Sequence, residues 1–124
     1  MENRYVKIAL INDEVAGVSV CSINDKCCHI DFIIVKNEFQ KKGVGSSFME
    51  DIINYCCRNN IKLIECEAIN VLGKINSIKL LEKYNFVCTY SKSKYWGELC
   101  PDFYCKQCNS KPCVCEMKKY IKQL

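Results

Sequence analysis

The sequence predicts a mixed α/β (α+β) fold, in which an antiparallel meander of three strands precedes a helix, a strand, a second helix and a further strand. Three observations support this class: β-branched segments divided by short polar turns, apolar residues at helical spacing, and a late cluster of cysteines. A strand-helix-strand unit after a meander implies a mixed sheet with helices packed on it. The 124 residues are the size of one compact domain, to which the cysteines add a small C-terminal element.

The meander is expected in the first third of the chain. Residues 4–11 and 15–23 are rich in β-branched side chains, and Asn12-Asp13-Glu14 between them is typical of a hairpin turn. After a second polar turn, residues 27–35 end in an apolar run that is typical of a buried strand. These segments predict three consecutive antiparallel strands.

Two amphipathic helices and two strands are expected next. Apolar residues recur on one helical face before Arg58, namely Phe48, Met49, Ile52, Ile53 and Cys56. A second set recurs at a spacing of three, namely Ile75, Ile78, Leu81 and Tyr84. Residues 61–69 between the helices and residues 86–90 after them are predicted as strands.

The composition excludes several classes of protein. Apolar residues make up 49% and charged residues 26%, which is a globular balance. No apolar run approaches the roughly 18 residues of a membrane helix, and no apolar signal segment follows Met1. The net charge is +4 and the lysines are scattered, so neither a membrane nor a nucleic acid is expected as a partner.

The 12 cysteines have the density of a disulfide scaffold. Without a secretory signal, a reducing, cytoplasmic location is expected instead, with thiols that are buried or bind metal. Seven of them lie inside apolar segments and are interpreted as core or free thiols: Cys21, Cys27, Cys28, Cys56, Cys57, Cys66 and Cys88.

The other five cysteines fall close together near the C-terminus. Cys105 and Cys108 form a C-x2-C pair, and Cys113 with Cys115 forms a second close pair, so the four predict a tetrahedral zinc site. Cys100 is an alternative for one member. The competing interpretation is buried or redox-active thiols, with Val114 to Met117 as an alternating last strand. Both hold if the cluster is an insertion between the last two strands.

The segment from Gln40 to Ser47 joins the third strand to the first helix. Gly43 and Gly45 allow a tight turn and a close approach of the backbone to a ligand. The unpaired N–H groups and partial positive charge of a helix start make an anion site suited to a pyrophosphate. The segment lacks the Lys-Ser or Lys-Thr of a Walker loop, and Phe48 replaces the third glycine of a Rossmann fingerprint.

The wider segment FIIVKNEFQKKGVGSSF resembles the acetyl-CoA loop of the GNAT superfamily of acetyl-CoA-dependent N-acyltransferases. Leu80 to Phe86, LLEKYNF, is similar to the signature that closes the family's second helix. The resemblance covers residues 4–90 and implies a short GNAT-like N-acetyltransferase with a Cys-rich tail. The expected division is an acetyltransferase domain over 1–95 and a Cys-rich, zinc-binding segment over 96–124 packed on it.

The resemblance also implies a binding site for acetyl-CoA. Backbone N–H groups from Lys42 to Ser47 would hold the pyrophosphate, and the end of the third strand, which splays from the fourth, would pair with the pantetheine arm. The implied residues are Ile33, Ile34, Val35, Gln40, Lys41, Lys42, Gly43, Val44, Gly45, Ser46 and Ser47. Acetyl would pass directly to a primary amine of a protein or small molecule.

Direct transfer requires a base for the amine proton. His29 and Asp31 share one strand face by alternation, and the ordinary pKa of histidine, about 6.5, suits the task. Glu65 and Glu67 are the other candidates. The alternative is that all four candidates are ordinary surface residues on partly exposed strands.

Two departures from the family pattern affect the implied activity. Leu81 stands where the family has a tyrosine that protonates the leaving thiolate, so the acid would be water or Tyr55, Tyr90 or Tyr95; Tyr84 is a poor substitute. The chain also begins at the meander, without the family's acceptor-binding helices. The acceptor site would then be open, or completed by a partner protein or a second copy.

Two alternative hypotheses remain at this point. One is a non-catalytic module that binds CoA or a partner on the same scaffold. The other is a zinc-stabilised interaction or nucleic-acid module, whose contacts would be Lys106, Lys111, Lys118, Lys119 and Lys122.

Overall fold

The computed structural model describes residues 3–71, 74–75, 78–102 and 104–124. The strands are β1 (Asn3–Ile11), β2 (Glu14–Asn24), β3 (Cys27–Val35), β4 (Leu63–Val71), β5 (Lys74–Ile75), β6 (Val87–Lys92) and β7 (Glu116–Gln123). The helices are α1 (Val44–Arg58), α2 (Ile78–Lys83) and α3 (Tyr95–Leu99), and a 3-10 turn spans Asn37–Phe39. The predicted order of elements is confirmed, β5 and α3 are added to it, and β7 overlaps the last strand that Val114 to Met117 suggested.

The strands form one mixed sheet in the order β1-β2-β3-β4-β7-β6, with β5 paired to β4. The meander of β1, β2 and β3 is antiparallel, as predicted, whereas β3 and β4 are parallel. Asn12, Asp13 and Asp25 occupy the two meander turns with positive φ angles of 52°, 63° and 55°. These short polar residues tolerate the left-handed conformation, which explains the tight turns.

The chain forms two compact units, Met1–Cys66 with Lys122–Leu124, and Glu67–Ile121. The domain boundary predicted after residue 95 stays a prediction. Among the described residues, no helix is both long and apolar enough to cross a bilayer.

The core of the first unit lies between α1 and one face of the meander. The buried face of α1 consists of Val44, Phe48, Met49, Ile52 and Cys56. Gly17 on β2 allows the close approach, because a Cβ there would lie 2.5 Å from the carbonyl oxygen of Ile34 and 3.1 Å from the Phe48 ring. Burial of each large apolar side chain contributes about 1.5–3 kcal/mol.

The third strand contains a β-bulge at Asp31. Cys21 pairs with Ile30 and Val20 with Phe32, so Asp31 has no partner in the register. The bulge changes the phase of alternation: Cys28 before it faces α1 through Cys56, and Ile33 after it packs in the cluster of α1 residues.

The opposite face of the meander carries exposed apolar side chains. The register aligns Val6 with Phe32 across β2, and Ile8 with Ile34. The large exposed side chains of this apolar face are Val6 (52%), Ile8 (59%), Leu10 (63%), Phe32 (43%) and Ile34 (55%). A contiguous exposed patch of this kind is typical of a surface that meets a partner.

None of the 12 cysteines, all of which lie in the described residues, forms a disulfide. In the first unit Cys28 contacts Cys21 and Cys56, and all three are buried. The hydrogen bond with Cys21, together with burial, raises the pKa of Cys28 to about 12 and outweighs the bond with Cys56. Cys57, adjacent to buried Cys56, is exposed. The buried thiols of this unit therefore act as small apolar core groups, whereas Cys57 does not.

In the second unit, α2 is shorter than the periodicity predicts. Ile75 belongs to β5, where it pairs with Asn70, and the helix begins at Ile78. A spacing of three between Ile75 and Ile78 cannot by itself distinguish a helical turn from the end of a hairpin. Leu81 is buried at 3% exposure, and Asn85 after the helix has a φ of 64°, as its left-handed cap role predicts.

Candidate functional site

The segment after β3 is fixed to the end of that strand. The side-chain amide of Gln40 donates to the carbonyl oxygen of Val35 at 3.2 Å and to Oδ1 of Asn37 at 3.1 Å. The backbone N–H of Lys36 donates to the carbonyl oxygen of Ala16 on β2 at 2.9 Å. Gln40 therefore fixes the start of the loop that leads into α1.

The loop enters α1 through two left-handed residues, Lys41 with a φ of 62° and Gly43 with a φ of 84°. Gly43 is the N-cap of the helix and provides no side-chain cap. The N–H of Ser47 donates to the carbonyl oxygen of Gly43 at 2.9 Å, so this N–H is used inside the helix. The backbone donors that α1 can offer to an anion therefore precede Ser47.

The surroundings of this loop favour an anion. The first turn of α1, all of whose residues are described, contains no acidic side chain. The ammonium group of Lys42 lies 5.7 Å from the centre of the Phe39 ring, which holds that charge close to the loop. A Cβ on Gly43 would meet no atom within 4 Å, so the surface here is open to a ligand. The geometry fits a phosphate-bearing group at the N-terminus of α1.

The parallel pairing of β3 with β4 is short. It joins Cys27 with Leu63, Cys28 with Ile64 and His29 with Glu65, and the register ends there although β3 continues to Val35. Past His29, Ile33 and Val35 pack toward α1, whereas Ile34 is 55% exposed on the other face. The backbone edge of β3 beyond His29 is where an extended ligand could pair.

His29 and Asp31 meet at the point where the pairing ends. Nδ1 of His29 lies 2.7 Å from Oδ1 of Asp31, and Ser22 Oγ donates to Oδ2 of Asp31 at 2.7 Å. The Arg4 guanidinium lies 3.5 Å from the same Oδ2. The side chains of His29 and Asp31 are 31% and 23% exposed, so both are accessible but held in place.

The charge of Asp31 is stabilised by these neighbours. Burial raises the pKa of the Asp31 carboxyl, but the hydrogen bonds from Ser22 and His29 and the charges of His29 and Arg4 outweigh burial and hold that pKa below its ordinary value. The ionised carboxylate of Asp31 accepts a hydrogen bond from the protonated Nδ1 of His29 and so orients the imidazole ring.

Ser22 and Arg4 were missed by the sequence reasoning. The hairpin register places Arg4 opposite Ser22, and Ser22 opposite His29. Pairing β2 with β3 outward from their turn places Ser22 opposite His29 and would have found Ser22. Arg4 lies opposite Ser22 only because of the β-bulge at Ala9 and Leu10, which the sequence does not signal. Of the other base candidates, Glu65 is half-buried beside His29 in the register, and Glu67 belongs to the second unit.

The tyrosine candidates for the acid are divided between the two units, with Tyr55 in the first and Tyr90 and Tyr95 in the second. The Tyr55 ring stacks on Tyr5 with centroids 3.8 Å apart. Tyr90 is 51% exposed, and Tyr95 contacts Trp96 edge-on at 5.2 Å. Because Leu81 is an aliphatic core residue, it supplies no proton at that position of α2.

Four of the five C-terminal cysteines come together in the second unit. Cys105, Cys108, Cys113 and Cys115 have all their sulfur atoms within 4.8 Å of one another, and we call them the cysteine tetrad. Cys100 is exposed and lies outside the tetrad. A hydrogen bond from the backbone N–H of Cys108 is the main cause of the lowered pKa of Cys105, which is about 7. Burial raises the pKa of Cys115.

Comparison with known proteins assigns the chain to a family. The sequence model described as "Acetyltransferase (GNAT) family" matches residues 2–86. A search of the curated proteins finds no match. The family match therefore covers the meander, the loop and α1 to α2, and stops before the tetrad.

Solved structures share the fold. A candidate streptothricin acetyltransferase from Bacillus anthracis, in complex with acetyl coenzyme A, is similar with a TM-score of 0.80 and 19% identity, over 98% of this chain and 64% of that one. A Bacillus subtilis acetyltransferase in complex with CoA is similar with a TM-score of 0.76 and 23% identity, over 96% of this chain and 76% of that one. An Elizabethkingia anophelis GNAT family acetyltransferase with acetyl-CoA bound is similar with a TM-score of 0.76 and 21% identity, over 96% of this chain and 75% of that one.

Proposed function

The chain belongs to the acetyltransferase (GNAT) family, and from this premise we propose that it is an N-acetyltransferase that passes acetyl directly from acetyl-CoA to a primary amine. The observation that carries the proposal is the start of α1 at left-handed Gly43, without a side-chain cap, at the end of the loop that follows β3. This is the geometry that a pyrophosphate requires. The acceptor would be an amine of a protein or a small molecule.

The loop residues divide the work of binding acetyl-CoA. Backbone N–H groups from Lys42 to Ser46 would face the pyrophosphate, and Lys41 and Lys42 would add charge at its edge. The backbone of Ile33 to Val35 would pair with the pantetheine arm. Gln40 would act by positioning, since its amide holds the loop to Val35.

His29 is proposed as the base for the acceptor amine. With Asp31 ionised, the proton of the imidazole stays on Nδ1 at the 2.7 Å bond, and the lone pair is on Nε2. That arrangement can take a proton from an ammonium or a bridging water before attack on the thioester. Glu65 is the second candidate because it lies beside His29 in the register.

The leaving thiolate would take its proton from water. Leu81 supports this choice because its side chain is aliphatic and buried. The same observation favours the alternative function, a non-catalytic module that binds CoA. Turnover separates the two hypotheses.

The proposed function is tested first by calorimetry with acetyl-CoA. The wild-type protein is expected to bind, and Lys42→Glu is expected to weaken binding about tenfold or more, because a charge reversal beside a pyrophosphate costs about 1.4 kcal/mol or more. Lys26→Glu, in the exposed turn before β3, is the matched control and should bind normally. Absence of binding by the wild-type protein contradicts both CoA hypotheses.

The second test is release of free CoA thiol in the presence of a panel of amines. Release with at least one amine, and formation of its amide, supports the enzyme. Binding without turnover on every amine supports the non-catalytic module.

The predicted partner chain stays a prediction. If a second copy completes the acceptor site, the apolar face of the meander is where we expect it, and Ile8→Lys should convert a dimer to a monomer in light scattering. A wild-type monomer at all concentrations contradicts the homodimer. A reducing location is also part of the proposal, in keeping with the free thiols.

A further inference from the structure

The sulfur atoms of the cysteine tetrad are spaced for a metal ion. Sγ of Cys105 lies 3.8 Å from Sγ of Cys115, and Sγ of Cys108 lies 4.0 Å from Sγ of Cys113. A tetrahedral zinc ion with Zn–S bonds of about 2.3 Å has sulfur atoms about 3.8 Å apart. A disulfide requires about 2.05 Å. The spacing therefore matches four thiolates around one ion and not two disulfides.

The backbone folds so that all four thiols point inward. Cys105 and Ser110 form an antiparallel bridge, with N–H to carbonyl distances of 3.0 and 3.4 Å, around left-handed Asn109. The N–H of Cys115 donates to Sγ of Cys113 at 3.4 Å, and backbone N–H groups of Gln107 and Cys108 donate to the sulfur of Cys105. Such N–H donors stabilise negative sulfur.

The tetrad is itself the core of its segment. Its members are 7%, 7%, 3% and 1% exposed, and among the described residues the partly buried hydrophobic side chain packed against them is Trp96. Gly97 on α3 lies so close that a Cβ would collide with the carbonyl oxygen of Cys113. Four thiols and the Trp96 ring, which make up this core in the described part of the segment, give little apolar stabilisation, and a structural metal compensates for such a deficit.

We propose that the cysteine tetrad binds one Zn²⁺ ion as a closed, structural four-thiolate site. On binding, four thiol protons leave and four sulfur–zinc bonds form, without any change of oxidation state. Because four protein ligands fill the tetrahedron, no position is left for a reacting water. The site lies between β6 and β7 and holds the connection whose last ligand, Cys115, directly precedes β7 at Glu116. It is additional to the acetyl transfer proposed above.

The test begins with the full wild-type chain, purified under reducing conditions with Zn²⁺ available. Native mass spectrometry is expected to show one zinc per chain. Replacement by Co²⁺ should give the intense sulfur-to-metal absorption of a tetrahedral thiolate site. The chain's one tryptophan, Trp96, packs on the tetrad, so its fluorescence should change when a chelator removes the ion.

Two kinds of variant assign the ligands. Cys108→Ser and Cys113→Ser should lose the ion or bind it at least tenfold more weakly. Cys57→Ser and Cys100→Ser, which alter exposed thiols outside the tetrad, should keep one equivalent. Loss of zinc in Cys100→Ser with retention in Cys113→Ser would overturn the assignment of the four ligands.

The wild-type protein alone can overturn the site, even if a variant fails to fold. Absence of bound zinc after addition of Zn²⁺ overturns it. A metal-free chain whose mass is lower than that of the reduced chain by four hydrogens, as two disulfides would make it, also overturns the site. Four thiols that resist alkylation until a chelator is added support it.

Discussion

Asp31 and His29 are joined by a 2.7 Å hydrogen bond between Oδ1 and Nδ1, although Asp31 is the bulged residue of β3 and has no partner in the register. Asp31 lies on the face of His29 and Ser22, to which it is hydrogen-bonded, beside the point where the pairing with β4 ends. A carboxylate thus orients an imidazole at the point proposed for acetyl transfer. The remaining hydrogen bond of Asp31, from Ser22, fixes the carboxylate itself.

Substitution of His29 is expected to remove the base. His29→Gln should lower kcat about 100-fold or more, which is the size of general base catalysis, whereas the KM for acetyl-CoA should change little. Asp31→Asn should move the acidic limb of the kcat–pH profile to lower pH, since loss of the carboxylate charge lowers the pKa of the imidazole. Glu65→Gln is the comparison: if it abolishes activity and His29→Gln does not, Glu65 is the base.

The lowered pKa of Asp31 makes stability depend on pH in a defined direction. A carboxyl whose pKa is lower in the folded chain stabilises the fold above the unfolded pKa, which is about 3.9. This contribution is lost as the pH falls toward the folded pKa. Urea unfolding should show wild type more stable than Asp31→Asn at about pH 7, by about 1 kcal/mol or less given partial exposure, with the difference shrinking in acid. A difference that grows in acid would contradict the assignment.

Gly43 is expected to be required for its backbone conformation. At a φ of 84°, Gly43→Ala should cost about 1–2 kcal/mol of stability or distort the loop, and weaken acetyl-CoA binding about tenfold. Gly43→Asn is the matched control, because asparagine tolerates the left-handed region. Unfolding midpoints and calorimetry measure the two effects. Equal binding by Gly43→Ala and wild type would show that the conformation is not needed.

Ser19 and Ser22 provide a matched pair on β2. Among the described residues, the buried Oγ of Ser19 has no hydrogen-bond partner, whereas that of Ser22 donates to Asp31. Because an unsatisfied buried hydroxyl costs about 1–3 kcal/mol, Ser19→Ala should be neutral or stabilising. Ser22→Ala should destabilise by about 1 kcal/mol. Urea midpoints decide, and a strongly destabilised Ser19→Ala would indicate a partner such as a buried water.

The fold was largely predictable from local patterns, and the site only in part. The bounds of β3 agree with the predicted segment 27–35, and the C-x2-C pair led to the tetrad that forms. The bulge at Asp31 could not be predicted, because it depends on the register of β2 against β3 and not on the composition of either strand. Arg4 escaped for the same reason, since the β-bulge at Ala9 and Leu10 sets its pairing with Ser22.

The ends of elements were harder to predict. α1 begins at Val44, inside the glycine-rich loop, because the left-handed residue before it can initiate a helix without a side-chain cap. β7 begins at Glu116 and not within Val114 to Met117 as a whole, since Cys115 is drawn into the tetrad. In the first case the helix includes residues that the sequence assigned to the loop, and in the second the tetrad includes a residue that the sequence assigned to a strand.

Asp31 is a supernumerary residue of β3. If it were deleted, Ile30 and Phe32 would follow each other in regular alternation, and Cys28, Ile33 and Val35 would keep the faces that they have now. The architecture would therefore accept a strand one residue shorter. What the deletion would remove is the carboxylate beside His29, so the extra residue of β3 is explained by the proposed chemistry and not by packing of the core.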